Sequence, residues 1–247
     1  MDQKRPIVAV HGVGAGSDAD RVGFSLELAR GVATRRRRVT RVGPLPEGSP
    51  VSRHVETSGV RWEEALWESE HDTEDAVVKA LLSSLGATSA ALTRVTGFFL
   101  DLLLDTPLYL TESGTRIRRR VRSVIAAHPG CIVVGHSLGS VISADVLARS
   151  FSSRGTALDV GGFVTLGSPL NLLGLRTRLR GEFPFAWENF HYAADPICFS
   201  GALETDQFPG VSNFELSRDE GFGVAHTHYW SSQIVARSIR RMSRRGE

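Results

Sequence analysis

A Gly-His-Ser-Leu-Gly pentapeptide at residues 135–139 has the residue types and spacing that activate a serine hydroxyl. The apolar run 131–134 precedes it, and a helical pattern of apolar residues follows directly. This order is typical of a nucleophile elbow, a strained strand-to-helix turn that lifts the hydroxyl, here that of Ser137, out of the sheet edge. Small residues are expected on both sides because the turn presses the strand against the helix. A helix N-terminus also favours negative charge that develops on the substrate.

A serine hydroxyl is a weak nucleophile at neutral pH, so it needs an imidazole as base and a carboxylate that orients the imidazole. Downstream of an elbow the acid precedes the histidine, and each follows a later strand. Asp195 meets this condition because it ends an alternating run, and Pro196 fixes an extended backbone before the turn. Asp206 and Asp219 are the substitutes. The alternative interpretation of Asp195 is a carboxylate that forms hydrogen bonds only within its own turn.

Two histidines that lie two residues apart are the candidates for the base. In an extended segment their side chains point to opposite sides, so only one of them faces a given site. We favour His226, with His228 as the alternative. His136 in the elbow and His11 after the first strand are interpreted as packed or hydrogen-bonding residues near the site. The other four histidines form no recognisable cluster.

A tetrahedral oxyanion needs two preorganised N–H donors. The backbone N–H of Leu138 follows from the elbow itself, and we assign the second donor to the N–H of Val13 in the glycine-rich loop 12–16. The glycines of this loop permit the bend that would turn that N–H toward the serine. A dinucleotide-binding loop is disfavoured because Ser17 stands where the third glycine of that motif is required.

The elements that must position these residues follow from hydrophobic patterning. The run 6–10 is fully apolar, which predicts a buried central strand. Strands alternate with helices along the chain, which predicts an α/β fold with a mainly parallel sheet covered by helices on both faces. Further strands are predicted at 39–42, 60–67, 131–134, 162–168, 187–194 and 211–216, with helices near 24–29, 117–125, 138–147 and 229–242. Residues 1–247 form a single domain in this interpretation, and 73–112 form a helical cap or insertion before the elbow.

Composition fits that interpretation. A chain of 247 residues with 41% hydrophobic content is long enough to bury the core of one α/β domain. The net charge of +2 gives no argument for nucleic-acid binding. Cys131 and Cys198 lie beside apolar residues and are interpreted as buried thiols. The histidines match no metal-ligand spacing, so we expect neither a metal nor a cofactor. No apolar leader or membrane-spanning run is recognisable, and a cytoplasmic protein is the expectation.

The joint pattern of these motifs resembles the α/β-hydrolase superfamily, and most closely its bacterial lipase/esterase-like branch, which includes serine esterases related to GPI-inositol deacylases. The segments that carry the resemblance are Val10-His11-Gly12, the pentapeptide 135–139, Leu166-Gly167-Ser168-Pro169-Leu170, Asp195-Pro196, His226 ahead of Tyr229-Trp230, and the stretch 105–110. The resemblance implies the α/β-hydrolase fold and a catalytic triad of Ser137, Asp195 and His226. It also implies hydrolysis of an ester whose identity stays open.

The segment before the elbow bears on the substrate. Phe98, Phe99, Leu102 and Leu103 make it strongly apolar, and we interpret it as the lining of an acyl pocket. Packing of these side chains within the core is the alternative interpretation. Small-molecule or lipid esters are the expected substrates.

Arginine runs at 35–38, 116–122 and 237–245 bear on the partners. Solvated helix faces and weak peripheral contact with anionic lipid headgroups are both compatible with them. The sequence leaves the oligomeric state open.

Three functions are compatible with these residues. The favoured one is a serine hydrolase that cleaves carboxylic esters through an acyl-enzyme on Ser137. An acyltransferase or another acyl-hydrolase would use the same triad with a different acceptor or substrate. A catalytically silent α/β-hydrolase fold that acts as a binding protein is the third.

Overall fold

The computed structural model describes residues 4–11, 25–33, 41–42, 52–57, 60–65, 112–152, 157–173, 182–198, 201–217 and 225–244. The segment predicted as a cap or insertion lies outside these ranges, apart from its last residue, Glu112, which begins a helix. Within the described ranges no helix is long and apolar enough to cross a membrane.

Eight strands form one sheet in the order β2-β3-β4-β1-β5-β6-β7-β8. The strands are β1 Ile7–Val10, β2 Arg41–Val42, β3 Ser52–Thr57, β4 Val60–Ala65, β5 Cys131–His136, β6 Val160–Leu166, β7 Trp187–Tyr192 and β8 Val211–Leu216. The six neighbouring strands β4, β1, β5, β6, β7 and β8 pair in parallel, whereas the β2-β3 and β3-β4 pairs are antiparallel. The prediction of a mainly parallel sheet is therefore confirmed, with β8 at one edge.

Strand β3 was not predicted. Its six residues contain one aliphatic side chain, Val55, so they give no alternating apolar signal. It pairs with β4 along its whole length as the partner strand of a hairpin. The dipeptide Ser58-Gly59 between the two strands is a turn signal that would have indicated the hairpin.

Helices cover both faces of the sheet. They are α1 Leu26–Val32, α2 Glu112–Ala126, α3 Leu138–Ser152, α4 Leu170–Leu173 and α5 Gln233–Ser243. Helices α2 and α3 pack with Cys131 and Val133 of β5 in one apolar cluster, while α1 and α5 pack with Ile132 and Val134 in the other. Because β5 is buried on both faces, its sequence is continuously apolar rather than alternating.

The helix predicted at 229–242 is divided in the structure. A 3₁₀ segment runs over Ala225–Ser231, and α5 begins only at Gln233. Ser232 separates them because its backbone is extended and its hydroxyl accepts a hydrogen bond from the N–H of Val235, which caps α5. The residues ahead of α5, which include His226, therefore do not continue its α-helical geometry.

The arginine run at 116–122 has a structural role on α2. Arg118 on α2 lies 3.6 Å from the buried carboxylate of Asp145 on α3, and Arg149 donates to the same carboxylate at 2.8 Å. Arg116 and Arg119 of the run are exposed. Contact of such residues with anionic lipid stays a prediction.

Helices α1 and α5 are joined by an arginine that caps α1. The Nε of Arg240 donates to the carbonyl of Val32 at 3.0 Å, and its Nη2 donates to the carbonyls of Gly31 and Ala33. The last carbonyls of a helix have no partner within the helix, so a cationic donor there is doubly favourable.

We therefore expect Arg240→Met to lower the free energy of unfolding by about 1–3 kcal/mol, because half-buried carbonyls lose a charged donor. Urea denaturation measures the change. Arg237→Met is the matched control, since Arg237 is exposed on the same helix and donates only to the carbonyl of Gln233 within it. Equal losses in the two variants would contradict a specific contribution of the α1 cap.

Candidate active site

The backbone turns sharply from strand β5 into helix α3 at Ser137. Its φ is 53°, and it is the sole non-glycine residue with a positive φ in the described part of the chain. Serine reaches this region only at a cost, so the surrounding structure must hold it there. Part of that hold is a hydrogen bond of 2.9 Å from the Ser137 N–H to the carbonyl of Leu166, at the end of β6.

The two glycines of the pentapeptide permit two different close approaches. A Cβ on Gly135 would lie 2.6 Å from the Cα of Ser140, so this glycine allows strand and helix to meet, as expected. A Cβ on Gly139 would lie 2.2 Å from the carbonyl oxygen of His11. The expectation that Gly139 makes room for strand β5 was therefore wrong. A side chain at 139 is excluded by the backbone that leaves β1. The start of the post-β1 loop thus lies against the first turn of α3, where the N–H of Leu138 is.

A buried carboxylate–imidazole pair lies at the end of β7. The Oδ2 of Asp195 is 2.8 Å from the Nδ1 of His226, and both residues are at most 4% exposed. Nδ1 must carry a proton to bond a carboxylate, which leaves Nε2 as the basic nitrogen. The Oδ1 of Asp195 accepts the N–H of Ile197 at 3.0 Å. The carboxylate therefore forms the local turn bond of the alternative interpretation and also holds an imidazole with its second oxygen.

The ionised form of Asp195 is favoured despite its burial. Burial alone would raise the pKa of this carboxyl, but the hydrogen bond and charge of His226 outweigh that effect, with further donation from Ile197 and Tyr229. The net result brings the pKa of Asp195 down to about 2. The carboxylate is therefore charged at neutral pH, as an orienting group for an imidazole requires.

Two contacts join this pair to the Ser137 turn. The Nε2 of His136 donates to the carbonyl of His226 at 2.8 Å, and the centroids of the two rings are 4.6 Å apart. Gly167, directly after β6, has a φ of 55°, and a Cβ there would lie 2.9 Å from Oδ2 of Asp195 and 3.0 Å from Cε1 of His226. The Ser137 turn and the Asp195–His226 pair thus both lie against the end of β6, the turn through Leu166 and the pair through Gly167.

The side chain of Ser137 is enclosed, whereas the elbow motif predicts a hydroxyl raised out of the sheet. Ser137 is 0% exposed. Its Oγ forms no hydrogen bond with any residue that the structure describes. The site is therefore closed to bulk water in this conformation, and a substrate can reach the hydroxyl only after an opening forms beside it.

The other predicted residues divide into two groups. His228 is half-buried on the same 3₁₀ segment as His226, so the premise of an extended segment was wrong, and the ring bonded to Asp195 is that of His226. Asp206 is an exposed turn residue. The residues outside the described ranges are Val13, Phe98, Phe99, Leu102, Leu103 and Asp219.

Two residues of the site were missed as functional candidates. Tyr229 and Cys198 both place their side chains against Oδ2 of Asp195. Each follows a site residue by three positions within or beside a 3₁₀ segment, so it returns to the same side after one turn. The patterns His-x-x-Tyr and Asp-x-x-Cys would have indicated them only if that helical geometry had been predicted.

His136 gives the site a measurable dependence on pH. Its burial lowers its pKa from 6.5 to about 3, with a further contribution from the adjacent His226. As the pH falls below 6.5 the unfolded chain takes up a proton on this ring, whereas the folded chain does so only near pH 3. Acid therefore favours unfolding over this range.

We expect the wild type to lose about 2 kcal/mol more of its free energy of unfolding between pH 7 and pH 5 than His136→Gln does. Glutamine is chosen because its amide can still donate to the carbonyl of His226 without titrating. Urea denaturation at both pH values measures the difference. Parallel pH curves for the two proteins would show that His136 titrates in the folded state as it does in the unfolded chain.

Comparison with known proteins supports the fold. No protein-family model and no curated protein matches the sequence. An esterase structure from Rhizomucor miehei is 11% identical, with a TM-score of 0.50, over 98% of this chain and 76% of that one. The carboxylesterase EstE1, cloned from a metagenomic library, is 12% identical, with a TM-score of 0.48, over 99% and 82% of the two chains. Sheet order, helical layers and the fungal neighbour together show that this chain has the α/β-hydrolase fold.

Proposed function

We propose that this protein is a serine hydrolase that cleaves carboxylic esters through an acyl-enzyme on Ser137. The observation that carries the proposal is the buried Asp195–His226 pair beside the strained turn at Ser137. A serine nucleophile and an oriented imidazole base are two of the parts that nucleophilic acyl transfer requires, in addition to donors for the oxyanion. The structural neighbour from Rhizomucor miehei is itself an esterase, which agrees with this reaction class.

The proposed reaction begins with proton transfer. As the Oγ of Ser137 attacks the ester carbonyl carbon, its proton passes to Nε2 of His226, and the carbonyl electron pair becomes an oxyanion. Asp195 stabilises the imidazolium through the Nδ1–H bond. Collapse of the intermediate breaks the bond to the alkoxy group, which leaves as an alcohol with the proton from Nε2. A water molecule then repeats the sequence on the acyl-enzyme and releases the carboxylic acid.

The oxyanion would be held by two backbone N–H groups. The N–H of Leu138 lies in the first turn of α3, whose dipole also favours negative charge. The donor role of Val13 remains a proposal. It is supported by the contact between Gly139 and the carbonyl of His11, because that contact brings the chain leading to Val13 toward α3.

Two features of the site bear on this mechanism. The hydroxyl of Ser137 has no hydrogen bond to a described side chain, and such catalytic bonds often form only when substrate is bound. The closed surroundings exclude water, which strengthens every electrostatic interaction inside the site.

The proposal predicts covalent labelling at a single residue. A fluorophosphonate probe should label the wild type, and Ser137→Ala should abolish the label because the attacking oxygen is gone. His226→Gln and Asp195→Asn should slow labelling by at least about 1,000-fold, since the serine keeps its proton. Mass spectrometry of the labelled peptide identifies the site.

His228→Gln is the matched control for the base, and Ser123→Ala, an exposed serine of α2, controls for general effects. Both should label at the wild-type rate. A label that survives in Ser137→Ala would overturn the proposed nucleophile. Loss of labelling in His228→Gln with retention in His226→Gln would assign the base to the other histidine.

The acyl acceptor separates hydrolysis from acyl transfer. With a p-nitrophenyl ester and added short-chain alcohol, a hydrolase should release mainly the free acid, whereas an acyltransferase would form mainly the new ester. Chromatography of the products measures their ratio. Labelling without turnover of any ester in a broad panel would instead contradict esterase activity and support an acyltransferase or another acyl-hydrolase, whereas a wild type that does not label at all would support the silent binding fold.

An acyl pocket lined by Phe98, Phe99, Leu102 and Leu103 remains part of the proposal. It predicts that kcat/KM for p-nitrophenyl octanoate exceeds that for the acetate by about 10-fold or more, because each buried methylene contributes about 0.8 kcal/mol. Rates are measured with monomeric substrate. Leu102→Ala and Phe98→Ala should reduce the preference for octanoate and leave the acetate rate nearly unchanged. Equal rates for the two wild-type substrates would count against an apolar pocket.

A further inference from the structure

We propose that Tyr229 is a positioning residue for the proposed hydrolysis: its phenol fixes the carboxylate of Asp195 and thereby the orientation of His226. The Cys198 thiol completes the set of donors around the same oxygen. This inference rests on the proposed function, and it assigns to Tyr229 and Cys198 a task in that reaction beyond packing.

The contacts of Asp195 are unequally divided between its two oxygens. Among the residues that the structure describes, Oδ1 accepts one bond, from the N–H of Ile197. Oδ2 has three donors: Nδ1 of His226 at 2.8 Å, the hydroxyl of Tyr229 at 2.8 Å and the thiol of Cys198 at 3.2 Å. A carboxylate oxygen has two in-plane lone pairs, so three donors saturate it, and rotation of the carboxylate would weaken its bonds to all three.

The hydroxyl of Tyr229 is itself held by two hydrogen bonds, one as donor and one as acceptor. It donates its single hydrogen to Asp195, and it accepts the backbone N–H of Tyr192 at 3.0 Å. The residue is 0% exposed, and its ring packs on that of Tyr192 with centroids 4.9 Å apart. Tyr229 therefore links the end of β7 to the 3₁₀ segment that carries His226.

Both added donors keep their protons. Burial raises the pKa of Tyr229 far above its ordinary value, and the neighbouring Cys198 and Asp195 raise it further. Burial likewise raises the pKa of the Cys198 thiol, as does the charge of Asp195. At neutral pH both groups are therefore protonated and can donate to the carboxylate.

The consequence for the base is geometric and electrostatic. An imidazole bound to a rotating carboxylate would present Nε2 over a range of directions, and misplacement by about 1 Å costs about 100-fold in rate. A carboxylate that shares its charge among three donors also attracts the imidazolium proton less strongly than one with two. Among the described residues, the groups that face His226 include Asp195, the ring of His136, and the ring of Tyr229, whose centroid is 6.2 Å from that of the imidazole.

Tyr229→Phe removes the donor and keeps the ring. We expect kcat for a p-nitrophenyl ester to fall about 10- to 100-fold with KM changed less than about 2-fold, because orientation is lost and binding is not. The acid limb of the pH profile of kcat/KM should move to higher pH, since Asp195 then holds the imidazolium more strongly. The far-downfield proton resonance of Nδ1–H of His226 should also move.

Tyr192→Phe is the matched control because it removes a phenol hydroxyl from the ring that packs on Tyr229 and leaves the Asp195 donors in place. It should keep the wild-type kcat and pH profile. Cys198→Ser retains a donor and should keep most of the activity, whereas Cys198→Ala should lose less than Tyr229→Phe does. Site-specific 3-fluorotyrosine at 229 keeps the fold and strengthens the donor, so it should move the His226 resonance in the direction opposite to Tyr229→Phe.

The outcomes separate this inference from the proposed function. A lower Tm for Tyr229→Phe with unchanged kcat, pH profile and resonance would overturn the positioning role and leave esterase activity standing. If the wild type neither labels nor turns over esters, the proposed function fails. The resonance then still decides the positioning role: a shift in the 229 variants supports it, and an unchanged signal overturns it.

Discussion

The hydrogen bond between Asp195 and His226 is the interaction on which the rest of the site depends. It places a carboxylate in the protein interior, where an ionised group without partners would be strongly destabilising. Four hydrogen-bond donors offset that destabilisation: a backbone N–H, an imidazole, a phenol and a thiol. Tyr229 and Cys198 suit this requirement because burial raises the pKa of each, so that both keep their protons at neutral pH.

The sheet brings the members of this site together. The partners of the central hydrogen bond are 31 residues apart in sequence, and Ser137 comes from an earlier strand. Parallel pairing of β5, β6 and β7 aligns their carboxyl ends at one edge, where ligands bind in open α/β folds. The close approach is possible because Gly167, between the Ser137 turn and the acid–base pair, has no side chain to fill the space.

Enclosure has two opposite effects in this structure. It keeps His136 neutral and strengthens the field of Asp195 on the imidazole of His226, both of which favour one fixed orientation of that ring. It also closes off the Ser137 hydroxyl, so access to substrate must be gained by movement of the surroundings.

The sequence by itself determined the local features. The run into Ser137, the glycines at 135 and 139, the Asp-Pro turn at 195 and the strand pattern all concern neighbours along the chain, where propensity and spacing act directly. Strand β3 was not predicted because its mainly polar residues adopt strand geometry through pairing with β4. The tertiary structure alone decided that His226 and not His228 meets Asp195, that Gly139 accommodates the end of β1, and that Tyr229 and Cys198 surround the acid. Those outcomes depend on distances between segments far apart in the chain, and such distances are fixed only when the sheet and its covering helices pack together.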